Sequence, residues 1–193
     1  MKETIESALR AHLRVAEDLS GAFVEPIAAA ARRLVACYRA GGKILVMGNG
    51  GSAADAQHFV AEMVVRYKRE RAALPAIALT TDTSILTAAS NDYSYEEVFT
   101  RQIEAHARPG DIVIGISTSG NSENVCRGLV AAKRLGATTI ALGGGSGGRM
   151  KALADLALIA PSSETARIQE AHITIIHILC DLVDEAFASH DAR

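Results

Sequence analysis

The chain has 193 residues, 49% hydrophobic and 22% charged, enough for one domain with a substantial core. A formal net charge of -2 argues against a nucleic-acid platform, whose affinity comes from clustered Lys and Arg neutralising phosphates. Aromatics are only 4% and Trp is absent, so the core has to be built from Ala, Leu, Ile and Val.

In chain order, the acidic, amphipathic opening MKETIESALRAH is unlike a signal peptide and predicts a helix over about 2–20. No apolar run reaches the length that crosses a bilayer, so the cytoplasm is the expected location. A second helix follows Pro26, tolerated in a first turn, and stops at Gly41-Gly42. Short apolar runs then alternate with helix-length stretches, at 43–47, 76–79, 111–116, 138–142 and 156–159. That alternation argues for βαβ units and a parallel sheet covered on both faces. A last helix is expected over about 164–188. The fold class expected is α/β, a three-layer αβα sandwich with about five parallel strands. Residues 1–40 would be an N-terminal helical segment and 41–193 the core of a single domain. Cys37, Cys126 and Cys180 are far apart, form no CxxC pair and read as buried thiols. The basic run Arg66, Lys68, Arg69, Arg71, interrupted by Glu70, reads as a solvated helix end or loop.

Ligands of open parallel sheets bind beyond the carboxyl ends of the strands, and two loops there have unusual composition. Gly48-Asn49-Gly50-Gly51-Ser52 lies between a strand and a helix. Its glycines permit a tight turn with exposed N–H groups, and the helix start favours anions. The bland alternative is a tight connection with Ser52 as N-cap. Ser117-Thr118-Ser119-Gly120-Asn121-Ser122 places four hydroxyls before another helix. A cap needs one, so these suggest a neutral phosphate cradle. There is no GxxxxGK[ST] and no GxGxxG, so a compact monophosphate is expected in preference to a nucleotide.

His58 and Glu62 are spaced i,i+4 and share a helix face; Gln169 and His177, eight apart, lie within roughly one face of the last helix. Taken singly, His58 reads as an ordinary helix histidine and Glu62 as a solvated charge. His177, set among isoleucines, would need a partner if buried. Together the four could bind a metal or transfer protons. His172, His106 and His190 have no role arguable from their positions; the last two read as surface residues.

GNGGS followed by SAADAQHF, together with ISTSGNS, resembles the sugar isomerase (SIS) domain family, whose sheet has the flavodoxin-like order. HFVAEMVVRY, Asn91-Asp92 and RIQEAHITIIHIL narrow the resemblance to the phosphoheptose isomerases, over nearly the whole chain. The resemblance implies aldose–ketose isomerisation of sedoheptulose 7-phosphate through an enediol, with Glu62 as base and His177 as acid. It implies a zinc ion among His58, Glu62, Gln169 and His177. It also implies substrate contacts from Asn49, Gly50, Gly51, Ser52, Arg66, Asn91, Asp92, Ser117, Thr118, Ser119, Ser122 and Gln169. Family members are tetramers with active sites built from adjacent subunits. The apolar faces of the first and last helices (Leu9, Leu13, Ala16; Ile173, Ile176, Leu179, Leu182, Val183) suit such an assembly, or packing within one subunit. The alternative is a non-catalytic relative that binds the replication initiator DnaA; LPAIALTTD and CDLVDEAF resemble that branch, but there the carboxylate and histidine are replaced. A sugar-phosphate sensor joined to a DNA-binding segment is disfavoured by the lack of basic charge in residues 1–40.

Overall fold

A computed structural model describes residues 1–188; His190 lies outside them. Two helices, α1 (Lys2–Ala22) and α2 (Val24–Arg39), lead into β1 (Ile44–Gly48) and α3 (Gly51–Val64). There follow β2 (Ala76–Ala78), α4 (Thr83–Asp92), a 3-10 turn (Tyr95–Glu97), α5 (Val98–His106), β3 (Ile112–Ile116) and α6 (Glu123–Arg134). β4 (Thr138–Gly144), α7 (Met150–Leu153), β5 (Leu156–Ala160) and α8 (Thr165–Phe187) complete the described chain. The expected strands therefore form with ends within two residues of their predicted places.

All strand pairs are parallel, in the order β2-β1-β3-β4-β5. This is the flavodoxin-like order, with its switch point between β1 and β3. Those two strands pair residue for residue, Ile44 with Ile112 through Gly48 with Ile116, and every residue of both is buried. Alternate side chains enter two cores. Ile44, Val46, Ile112, Ile114 and Leu142 pack against α2, α3 and α8, while Leu45, Met47, Val113 and Ala141 pack against α5 and α6. At the opposite edge from the ligand loops, Asp111 accepts from the Lys43 ammonium at 2.6 Å and the Lys43 amide at 3.0 Å, fixing the β1–β3 register. The core adds Phe59 and Phe99 to its aliphatics. All three cysteines are free and buried.

On α8, Ile176, Leu179 and Val183 are buried within the chain, whereas Leu9 and Leu13 of α1 face outward. Between α1, α2 and α8 runs an apolar groove of about 610 Å³ that contains none of the expected site residues. His106 is exposed; His172 is fully buried, with Nε2 2.9 Å from the Gly143 carbonyl. Among the described residues no helix is long and apolar enough to cross a membrane.

The basic run departs from expectation at Arg71, which is buried against Asp184 of α8, both side chains fully inaccessible, Nε to Oδ1 2.7 Å. Its Nη1 donates to the Met63 carbonyl at 2.9 Å and its Nη2 to the Glu62 carbonyl at 2.7 Å. Asp184 Oδ2 accepts from the backbone N–H groups of Tyr67, Lys68 and Arg69 at 3.2, 2.6 and 2.9 Å. Burial raises the Asp184 carboxyl, but the Arg69 and Lys68 amides and the Arg71 guanidinium outweigh it, so the group lies below the ordinary carboxylate range.

Removing one partner of a buried, fully bonded pair costs about 3–5 kcal/mol, and Asp184→Asn should lose on that order in urea unfolding at pH 7. The carboxylate's contribution is complete above the ordinary value of ~3.9 and disappears as pH falls through the lower folded value. The gap between wild type and variant should therefore close in acid.

Candidate active site

Both ligand loops stand at the switch point. In the first, Gly50 has φ +56 and is the N-cap of α3, so Ser52 is not the cap; its side chain is buried beneath the turn. Only a residue without Cβ fits Gly48 against the Ser52 carbonyl, which a Cβ would meet at 2.7 Å. Gly50 and Gly51 stay exposed. Asn49 acts as a strut: its Oδ1 accepts from Tyr95 at 2.9 Å and Asn124 at 3.0 Å, and its Nδ2 donates to Asn124 Oδ1 at 2.9 Å. Its amide thus ties the loop to α6 and to the segment after α4.

In the second loop, Ser122 is the N-cap of α6 but makes no side-chain cap bond. The hydroxyls face one another instead, Ser117 Oγ lying 2.9 Å from Ser122 Oγ and 3.5 Å from Ser119 Oγ. Such a cluster at a helix start offers donors to an anion. Thr118 is half-buried and Ser119 exposed beside it. Sequence reasoning missed the brace under this loop, the run Gly143-Gly144-Gly145-Ser146-Gly147-Gly148. A Cβ on Gly120 (φ +67) would stand 2.0 Å from the Gly147 carbonyl, so the two loops lie backbone to backbone. The density of glycine was the available signal.

The reactive groups gather farther along α3 and α8. His58 Nε2 lies 3.0 Å from Glu62 Oε1 and 3.5 Å from His177 Nε2. Tyr67 stacks on His177, centroids 5.4 Å apart and planes 20° from parallel. Burial and the neighbouring His58 hold the His177 imidazole below its ordinary value, against the opposing pull of Glu62. Asp55, one turn before His58, was not foreseen. Burial pushes its carboxyl up to about 6, and Oδ2 has no partner among the described residues.

Gln169 is two turns of α8 before His177 and sits at the ligand loop, where a Cβ on Gly51 would meet its Nε2 at 2.2 Å. Along α8 the two residues are about 12 Å apart. Arg66 lies beyond the end of α3, half-exposed and paired with Glu70 at 3.4 Å. Asn91 and Asp92, expected to contact substrate, end α4, exposed, with Asn91 Nδ2 donating to Asp92 Oδ1 at 2.9 Å. One chain thus brings His58, Glu62 and His177 together, and separately brings Gln169 to the glycine loop.

The SIS domain family model matches residues 9–144. A phosphoheptose isomerase of Geobacter sp. (strain M21) is 61% identical over 95% of this chain and 96% of its own. The chain belongs to the phosphoheptose isomerases. The phosphoheptose isomerase structure from Neisseria gonorrhoeae agrees with a TM-score of 0.91 at 45% identity, covering 95% of this chain and 98% of that one. That from Francisella tularensis gives 0.92 at 39% identity, covering 95% and 97%.

The zinc expected in this isomerase can be weighed against the donor geometry. Among the described residues no three His, Cys, Asp or Glu side chains form a ready-made metal site. The chemistry of the trio nevertheless fits. His58 Nε2 faces both Glu62 Oε1 and His177 Nε2, and one ring nitrogen presents either a proton or a lone pair. A cation between them would take a lone pair from each. Ligand atoms about 2.1 Å from one tetrahedral zinc stand about 3.4 Å apart, close to the separation of the two imidazole nitrogens.

Gly51→Ala tests the placement of Gln169. The obstructing atoms belong to the end of a flexible side chain, and helical Gly→Ala is favourable by about 0.5–1 kcal/mol. The variant should be at least as stable in thermal melts, while calorimetry with a phosphorylated heptose shows weaker binding.

Proposed function

We propose that this isomerase interconverts sedoheptulose 7-phosphate and D-glycero-D-manno-heptose 7-phosphate, with Glu62 as base and His177 as the hydroxyl proton shuttle. The observation that carries this reading is the contact of Glu62, His58 and His177 on two helices, α3 and α8, that both follow the carboxyl ends of strands of the sheet. In the forward direction Glu62 takes a proton from C1 of the ketose, and the electron pair forms the C1–C2 double bond of the enediol. The C2 carbonyl oxygen gains a proton and the C1 hydroxyl loses one, transfers suited to a neutral imidazole. Return of a proton to C2 gives the aldose. The hydroxyls of Ser117, Thr118, Ser119 and Ser122 and the N-terminus of α6 would hold the phosphate. Asn91, Asp92 and Gln169 would meet sugar hydroxyls. His58, Glu62 and His177 would hold zinc, which supplies Lewis-acid stabilisation of the developing oxyanion, while Gln169, expected as a fourth donor, stands at the glycine loop of the same chain. Glu62 cannot be a tight ligand and an efficient base at once, so ligation by it would be transient.

We infer that the enzyme works as an assembly, expected to be a tetramer. Along α3, Glu62 is about 16 Å beyond Gly51, so one chain separates its acid–base pair from its glycine loop. The pair is bordered by outward-facing Val64, Val65 and Ile178, an apolar rim suited to cover by a second copy. Arg66, beside that rim, would then reach a neighbour's phosphate. Three free thiols fit a reducing cytoplasm. Retention of both Glu62 and His177 weighs against the DnaA-binding reading, to which only LPAIALTTD and CDLVDEAF point.

Glu62→Gln and His177→Asn should each lower turnover of sedoheptulose 7-phosphate by about 10²–10⁴-fold without unfolding the protein; near-normal rates in either would refute the assignment. Elemental analysis of protein purified without chelator should find about one zinc per chain, and His58→Ala should lose most of it. Full activity in metal-free protein would remove the metal from the account.

A further inference from the structure

We propose that the buried Arg71–Asp184 pair, with Tyr67, is a positioning device that holds the base and the acid in register. The proposal rests on the reading of Glu62 and His177 as the acid–base pair. α3 and α8 meet along a seam with three contacts: Gln169 against Gly51, His177 against His58, and Asp184 against the segment that follows α3. Positions 169, 177 and 184 are eight and seven apart, so they lie along one stripe of α8. The third contact is charged, fully buried and completely bonded.

Its links run directly to both reactive residues. Glu62 is in the last turn of α3, where carbonyls have no helical partner and ends fray. Arg71 Nη2 takes the carbonyl of Glu62 itself, and Nη1 takes that of Met63. Nε of the same guanidinium holds Asp184. Asp184 Oδ2 fixes the amide of Tyr67, whose ring stacks on His177. An unbroken chain of contacts therefore joins the backbone of the base to the ring of the acid.

The residue type matters. Three carbonyls, those of Glu62, Met63 and Ala72, and a carboxylate are served by one rigid planar group; a lysine ammonium is a compact point charge on a flexible stem. A buried ion pair is also a poor choice for stability alone, since apolar residues of similar volume often do as well. Here the pair fixes directions that apolar contact would leave free.

The test compares Arg71→Lys, which keeps the charge and loses the fork, with Tyr67→Leu, which keeps the buried pair and removes the stack. Steady-state rates on sedoheptulose 7-phosphate are read per folded molecule, at a temperature where circular dichroism shows native protein. A misplacement near 1 Å costs on the order of 10²-fold. Arg71→Lys should therefore lose kcat on about that scale, and Tyr67→Leu about tenfold, each with a smaller change in KM because the phosphate-holding hydroxyls between β3 and α6 lie outside the seam. Lower melting temperature with unchanged kcat would make the pair merely structural and overturn the proposal. Should Arg71→Lys not fold, Tyr67→Leu decides by the same criterion. Glu62→Gln, run alongside, separates the failures. If it is inactive while the positioning variants have normal kcat, only the positioning role falls. If it is active, the acid–base reading falls first.

Discussion

The packing of α8 along α3 is the contact on which the rest of the molecule depends. α3 begins at the glycine loop after β1, and α8 arrives from the far edge of the sheet after β5. Neither helix alone holds a reactive constellation. Set side by side, they place an amide at the loop, two imidazoles and a carboxylate farther along, and a buried ion pair at the end. Apolar burial of Phe59, Met63, Ile175, Ile176 and Leu179 supplies the driving force for that seam. Hydrogen bonds supply its register, because apolar area is indifferent to small slips.

The sheet sets the other half of the arrangement. A switch point between β1 and β3 opens a crevice at their carboxyl ends, and both hydroxyl- and glycine-rich loops lie there. Asn49 braces them with Asn124 and Tyr95, while Gly120 and Gly147 lock the β3 and β4 loops together. A neutral cradle of this kind binds phosphate through oriented N–H and O–H groups, leaving cationic charge to be brought by another segment.

Much of this was legible in the sequence because the signals were local. Apolar runs such as Ile112-Val113-Ile114-Gly115-Ile116 can only be central strands when polar helices flank them, and an excess of hydroxyls over one cap marks a loop for a ligand. The i,i+4 spacing of His58 and Glu62 was equally plain. What escaped was non-local. Arg71 looked like part of a solvated basic run because its partner is 113 residues away. Ser52 looked like a cap, but the positive φ of Gly50 starts the helix earlier. Asn91 and Asp92 carry turn chemistry yet finish α4. Eight-residue spacing on α8 put Gln169 and His177 on one stripe without revealing that they serve different ends of the seam.

The central claim is that a proton is moved between C1 and C2 by groups of this seam. Its most direct test is conversion of sedoheptulose 7-phosphate in deuterated water, with the aldose product examined by NMR. The account predicts turnover with deuterium entering at C2, as the protonated base exchanges with solvent. Product formed with C2 carrying only the hydrogen from C1, at every extent of reaction, would contradict it and point to direct hydride transfer between the carbons.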